Sequence, residues 1–240
     1  MFKTLYESAL TLVYPQECRC CGNSVESSAD GVACNECWNK VRIFTGNESL
    51  CEKCGAYLGD AGGSWSISCS QCEDHAYDRA FAVGIYEHAL AATVLQLKSN
   101  PHLCRRSRNL FRSTYLTGML KNVTLIVPVP LSRKRLHERG FNQAEVLARS
   151  FAKSFHTTVR NDILERKSHT PMHRAAMDKK ARASTVRNAF DVQNAQDIKG
   201  AHILLVDDVL TSGATASSCA AMLKRNGAGR IDVLTLARAV

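Results

Sequence analysis

Apolar residues along this chain follow two regimes. Between residues 16 and 77 no helical or strand period persists, whereas beyond Asp78 short apolar runs alternate with amphipathic stretches. Ahead of both, Leu5, Ala9, Leu12 and Val13 share one face at helical spacing and Pro15 ends the pattern, which predicts a short helix over 2–14. In the second regime the pattern predicts strands at 80–86, 125–129, 158–164, 202–206 and 231–236. Helices are predicted over 88–98, 105–120, 142–155 and 214–226, with Asn142 as a cap, and a basic polar stretch fills 170–188. A strand as uniformly apolar as Ile203-Leu204-Leu205-Val206 has to be covered on both faces, so the expectation is an α/β parallel sheet flanked by helices. Ligands of such sheets bind beyond the carboxyl ends of the strands.

Cysteine content changes the picture at the front. Residues 16–77 are rich in Cys, Gly and Ser and can hardly build a core without a metal staple. Of the 11 cysteines, eight form four CxxC pairs: Cys18/Cys21, Cys34/Cys37, Cys51/Cys54 and Cys69/Cys72. Each pair presents two thiolates at the separation that grips one edge of a tetrahedral zinc site. The words CRCCGN and CEKCGA both read CxxC-Gly, the glycine suiting a tight turn beneath the metal, while CNEC and CSQC lack it. That repetition predicts two structural zinc ions, one held by Cys18, Cys21, Cys34 and Cys37 and the other by Cys51, Cys54, Cys69 and Cys72. Interleaved pairing, or one filled site with idle cysteines, satisfies the same spacing, and His75 near the fourth pair is an alternative ligand. Cys20, Cys104 and Cys219 read as incidental, Cys219 as core packing in a helix. The division expected is a helix and double zinc-binding module over 1–78, zinc-ribbon-like, and an α/β domain over 79–240.

Charge divides at the same place, with a balance of −6 over residues 1–78 and +15 over 79–240. The larger part is therefore suited to phosphates or nucleic acid. No apolar run approaches the roughly 18 residues of a membrane helix, and the start lacks a signal-peptide core. The expectation is a cytoplasmic protein without membrane insertion.

One segment concentrates the chemistry. The strand Ile203–Val206 is followed by Asp207 and Asp208, then Val209, Leu210, Thr211, Ser212, Gly213, Ala214, Thr215 and a helix. Such a turn offers a phosphate several backbone N–H groups, hydroxyls and the positive end of the helix dipole. Gly213 lets the backbone approach closely. A plain acidic strand end followed by an N-capped helix has the same local pattern.

The word VDDVLTSGAT resembles the phosphoribosyl diphosphate (PRPP) signature of type I phosphoribosyltransferases. A second stretch, PVPLSRKRLHERGFNQAEVLA over 128–148, together with the cysteine pairs, resembles the ComF family of competence-associated, phosphoribosyltransferase-like proteins. The resemblance implies that Asp207 and Asp208 hold the ribose hydroxyls, that Thr211 to Thr215 cradle the 5′-phosphate, and that Val209 and Leu210 belong to the same PRPP-binding segment. Mg²⁺ would enter with the diphosphate. It implies further that Pro130 to Arg135 lie in a basic loop facing pyrophosphate, with Arg133, Lys134 and Arg135 the candidate cations, and that Arg139, in the word Arg139-Gly140-Phe141-Asn142-Gln143, joins the PRPP-binding residues. Lys98, Arg166 and Arg182 carry over as ligands only loosely, because three family words are altered: Leu97-Lys98 runs into Ser99-Asn100-Pro101, Thr170-Pro171-Met172-His173 lacks the usual Gln, and Arg182-Ala183-Ser184-Thr185 lacks the usual Asn. The function implied is transfer of a phosphoribosyl group from PRPP to an unidentified acceptor, with a role in handling imported single-stranded DNA during natural transformation. The competing expectation is a PRPP or nucleotide sensor whose basic face and zinc module engage single-stranded DNA or a competence partner such as a helicase.

Overall fold

The computed structural model describes residues 16–60, 69, 70, 72–118, 120, 122–167 and 189–239. The helix expected over 2–14 and the stretch 170–188, with its Thr170 to His173 and Arg182, lie outside these residues. At the front, the cysteine segment contributes one short helix, α1 (Asn35–Asn39), and a two-stranded antiparallel pair, β1 (Ser49–Leu50) with β2 (Tyr57–Gly59).

Beyond it the chain alternates as its apolar pattern predicts. β3 (Arg79–Ile85) leads to α2 (His88–Leu97) and α3 (Arg105–Thr117), then β4 (Leu125–Pro128), α4 (Arg133–Arg139), α5 (Gln143–Ala152) and β5 (Thr158–Val159). β6 (Leu164–Arg166) pairs antiparallel with β7 (Phe190–Val192), and β8 (His202–Leu210), α6 (Ala214–Arg225) and β9 (Arg230–Arg238) complete the order. Five strands form one parallel sheet in the order β3-β9-β8-β4-β5.

Alternation along β8 explains why its run is apolar throughout. Leu204 and Val206 face Leu147, Ala148 and Phe151 of α5, with Phe111 of α3 and Leu90 of α2 in the same layer. Ile203 and Leu205 face Ala216, Cys219, Ala220 and Leu223 of α6. Both faces are dry, which is the doubly covered parallel sheet expected.

Three local readings are revised. The strand expected over 158–164 is two strands in different sheets, β5 in the main sheet and β6 beside β7. The basic loop after β4 is largely the helix α4, capped by the Ser132 hydroxyl on the Arg135 N–H and closed by Gly140 in the left-handed region. Finally, β8 does not end at Val206 but continues to Leu210.

The cysteine segment wraps the β3 edge. Phe44 N–H donates to the Val83 carbonyl at 2.9 Å and Ile85 N–H to the Arg42 carbonyl at 3.0 Å, so residues 42–44 occupy hydrogen-bonding positions that a free edge strand would expose. The first cysteine unit packs on the α2 and α3 side, where Arg106 binds Asp30 at 3.1 Å and lies 4.9 Å over the Trp38 ring. The second unit packs on the α6 side, with Cys51, Cys54, Cys72 and Tyr77 in the same apolar cluster as Ile203 and Leu205.

Candidate functional site

The continuation of β8 creates the site. β4 pairs with β8 only as far as Pro128 opposite Val206, whereas β9 stays paired to Leu210 opposite Arg238. From Asp207 onward one edge of β8 has no strand beside it among the described residues. The chain leaves β4 toward α5 on one side and leaves β8 toward α6 on the other, so the gap lies where the connections diverge.

Asp207 and Asp208 stand at this open end, on opposite faces of the strand. Asp208 accepts hydrogen bonds from the Val209 N–H at 2.8 Å and from Gln143 Nε2 at 3.3 Å. Gln143 in turn accepts from Arg139 at 2.9 Å, and Asn142 donates to the Val129 carbonyl at 3.0 Å. The word Arg139-Gly140-Phe141-Asn142-Gln143 is thus a bracket that joins the end of β4 to Asp208. Asn142 also caps α5 through the Ala144 N–H, as expected.

Asp207 turns toward α6. Burial holds its carboxyl well above the usual carboxylate range, and the neighbouring Asp208 charge pushes it further, against a pull downward from Arg166. Arg166 lies 5.4 Å over the Phe190 ring, and its buried Nε has no partner among the described residues. Burial, then the charge of Arg135, lowers its own affinity for a proton. A half-buried cation beside a carboxyl that resists ionisation is a polarised gap suited to a polar ligand.

The turn after β8 is built for an anion. Thr211, Ser212 and Ala214 are exposed, Gly213 is buried with φ +75, and α6 starts at Ala214 with no side chain of its N-cap residue capping it. At that helix start the Ala214 N–H meets the Ser212 hydroxyl at 3.5 Å, and those of Thr215 and Ala216 have no partner among the described residues. Arg238 of β9 holds the turn from behind, donating to the carbonyls of Leu210 at 2.8 Å and of Thr211.

The two cysteine clusters assemble as the repeat predicts. In each, the four Sγ atoms lie within 4.8 Å of one another. This fits a four-thiolate zinc site with metal–sulfur bonds of about 2.3 Å. Backbone N–H groups of Cys34, Cys20 and Cys21 outweigh burial and bring Cys18 down to about 6, and those of Cys54, Cys69 and Lys53 do the same for Cys51. Gly22 and Gly55 both have positive φ, at +78 and +63, and their N–H groups close the turn on the Cys18 and Cys51 carbonyls. His75 is in neither cluster.

Comparison with known proteins agrees with this division. A double zinc ribbon domain matches residues 9–73, and a phosphoribosyl transferase domain matches residues 93–239. Competence protein F of Haemophilus influenzae is 28% identical over 92% of this chain and 96% of its own length. DNA utilization protein YhgH of Salmonella typhi is 30% identical over 95% of this chain and 99% of its own. The chain belongs to the ComF family. Competence protein ComFC of Bacillus subtilis is a further ComF relative, 28% identical over 87% of this chain and 85% of its own.

Within this ComF fold the expected residues fare differently. Asp207 to Thr215 lie together at the crevice, and Arg139 reaches it through Gln143. Pro130 lies between β4 and α4. Arg133 is tied to Glu165 at 2.5 Å and Lys134 to Glu138 at 3.9 Å, both largely exposed, and Arg135 lies close enough to Arg166 to affect it. Lys98 follows α2, and its N–H caps the Leu95 and Gln96 carbonyls. Residues that sequence reasoning did not single out for the ComF site are Arg238, His75 and Tyr77. The only signal for Arg238 was a cation ending an apolar strand. No helix among the described residues is long and apolar enough to cross a membrane.

Proposed function

We propose that this chain binds PRPP across the crevice and transfers its 5-phosphoribosyl group to an acceptor. The observation that carries the reading is the overhanging end of β8, which presents two carboxyls and a helix start with unspent N–H groups on one side of a gap. In this reading Asp207 and Asp208 hold the ribose hydroxyls, and Thr211, Ser212, Gly213, Ala214 and Thr215 cradle the 5′-phosphate with backbone N–H groups and hydroxyls, while Val209 and Leu210, paired to β9, carry the strand into that turn. Pro130, Arg133, Lys134, Arg135 and Arg139 face the diphosphate. Mg²⁺ bound with PRPP would supply charge neutralisation at the diphosphate, held mainly by ligand oxygens.

The chemistry balances without a further reactant. A lone pair of the acceptor forms a bond to C1′ of the ribose, the C1′–O bond to the diphosphate breaks with its electron pair leaving on pyrophosphate, and a proton given up by the acceptor passes to the departing pyrophosphate or to solvent. Positive charge on the ribose is stabilised by the two carboxyl groups when ionised, and Arg166 lies where it can steer Asp207. The test is calorimetric titration of the zinc-loaded chain with PRPP and Mg²⁺, followed by a pyrophosphate-release assay with bases, nucleosides and single-stranded DNA as acceptors. Binding with release supports transfer. Binding with no release from any acceptor favours a sensor, and absence of binding removes the reading.

A second reading, DNA handling, is favoured by a separate cavity. A hollow of about 800 Å³ is lined by His102, Arg108, Arg149, Lys153 and His156, with no acidic side chain in its wall among the described residues. It adjoins a second of about 510 Å³ lined by Tyr115, Leu116 and Phe155. Cations beside aromatic rings are the chemistry that holds single strands. α5 begins at the crevice and ends here, so PRPP and a strand would sit about 15 Å apart and need not compete. The transferase part would then carry imported single-stranded DNA, and the zinc module would be the docking element for a competence helicase. If a single-stranded oligonucleotide is displaced by PRPP, the two sites are not separate.

A further inference from the structure

The segment that follows the last zinc cysteine lies against the phosphate turn. Cys72 accepts from the His75 N–H at its carbonyl, 3.1 Å away, so the ligand loop passes directly into His75-Ala76-Tyr77. His75 Nδ1 and the Tyr77 hydroxyl are 2.6 Å apart. The Ala76 N–H donates to Ser217 Oγ in the first turn of α6 at 3.0 Å. The Ser212 backbone lies close enough to the His75 ring to favour its protonated form, although burial lowers its affinity for a proton overall. A Cβ placed on Gly213 would meet His75 Cε1 at 2.6 Å and the Tyr77 hydroxyl at 2.8 Å. Tyr77 itself is 1% exposed, walled by the second cysteine cluster and by α6.

These interactions fall on one short stretch. The strap touches Ser212, Gly213 and Ser217, which are the turn and the first turn of the helix behind it, and it stands apart from the Arg139-to-Gln143 bracket on the other side of the gap. Gly213 therefore answers two demands, a positive φ and the absence of a side chain where His75 lies.

We infer that His75 and Tyr77 are positioning residues for the phosphate turn, and that the second cysteine cluster sets the turn's shape through them. The inference rests on the reading of that turn as the 5′-phosphate cradle. Zinc at Cys51, Cys54, Cys69 and Cys72 fixes where the strap begins, the strap fixes Ser212 and Gly213, and the unspent N–H groups are thereby held ready before ligand arrives. The crevice is incomplete without the zinc module, although no zinc ligand faces it.

The experiment compares ribose 5-phosphate with inorganic pyrophosphate as separate probes on the full zinc-loaded chain, in the parent, Tyr77→Phe and His75→Ala. Tyr77→Phe keeps the ring and loses only the hydroxyl, so its fold is expected to survive, with zinc content and melting temperature as controls. The expected result is a loss of ribose 5-phosphate affinity of about three- to tenfold, the scale of one hydrogen bond removed, while pyrophosphate affinity is unchanged. Adding both substitutions should cost less than the product of the single losses, because they break the same hydrogen bond. Equal loss for both probes, or no loss for either in a chain whose parent binds ribose 5-phosphate, overturns the positioning role. A parent that binds neither ribose 5-phosphate nor PRPP overturns the phosphate-cradle reading, and this inference with it.

Discussion

At the scale of single residues, the carboxyl of Asp207 opposes function to stability. Its raised affinity for a proton means that, between the usual carboxylate range and its own, the folded chain keeps a proton that the unfolded chain has released. Stability then falls as pH rises across that window, since the folded state binds more protons. Asp207→Asn removes the dependence and leaves a side-chain oxygen for the Asp208 N–H, now 2.8 Å from Oδ1. The variant should melt higher than the parent at about pH 8, by roughly 1 kcal/mol or about 2–4 °C, with the gap closing toward about pH 4. It should bind PRPP more weakly at the same time. A lower melting temperature at about pH 8 would mean that the carboxyl is ionised and paired. Legibility follows a similar line at this scale. Asp207, Asp208 and the Thr211-to-Thr215 turn were readable because polar residues follow an apolar run without a gap. His75, Tyr77 and Arg238 were not, because the strap's partner Ser217 is remote in sequence and those of Arg238 are backbone carbonyls.

At the scale of elements, the apolar period located every long helix and strand among the described residues, and it failed where an element has no dry face. α4 buries none of its residues, so no period marks it, and its Ser132 start and Gly140 stop went unread without one. β8 was cut short because Asp207 and Asp208 break its apolar run, yet β9 continues to pair past them. The cysteine repeat was the most legible feature, its CxxC-Gly words giving both clusters and their turns. Metal analysis should return two zinc ions per chain, and a value near one would leave a cluster structurally empty. The first cluster is fastened to the α/β part by Arg106, which reaches Asp30 and Asn35 and covers Trp38. Arg106→Ala should therefore lower the melting temperature by about 2–6 °C, a destabilisation of about 1–2 kcal/mol, without changing zinc content. Release of one zinc ion in that variant would show that the fastening also holds the cluster closed.

At the scale of the molecule, charge is segregated. The cysteine part has a balance of −6 against +15 for the rest, and two four-thiolate zinc sites would each add about −2 to the acidic side. A polyanion is therefore drawn to the transferase part and repelled by the zinc part. Oligonucleotide affinity should fall steeply and linearly on logarithmic axes as salt increases. Arg149→Ala with Lys153→Ala should flatten that slope by about one for each phosphate left without its cation, leaving PRPP affinity as it was. A slope unchanged by both substitutions would place the strand elsewhere on the surface.

The three residues laid along β3 have a bearing on how this protein is made. Because Arg42 to Phe44 close the outer side of β3, a truncated chain starting near Asp78 would present an open, apolar strand to its neighbours. Such a fragment should be recovered as soluble aggregates or inclusion bodies rather than as a monomer. On the ribosome the cover emerges before the strand it protects, so the outer side of β3 is guarded as it forms, while its inner side waits for β9, the last strand made.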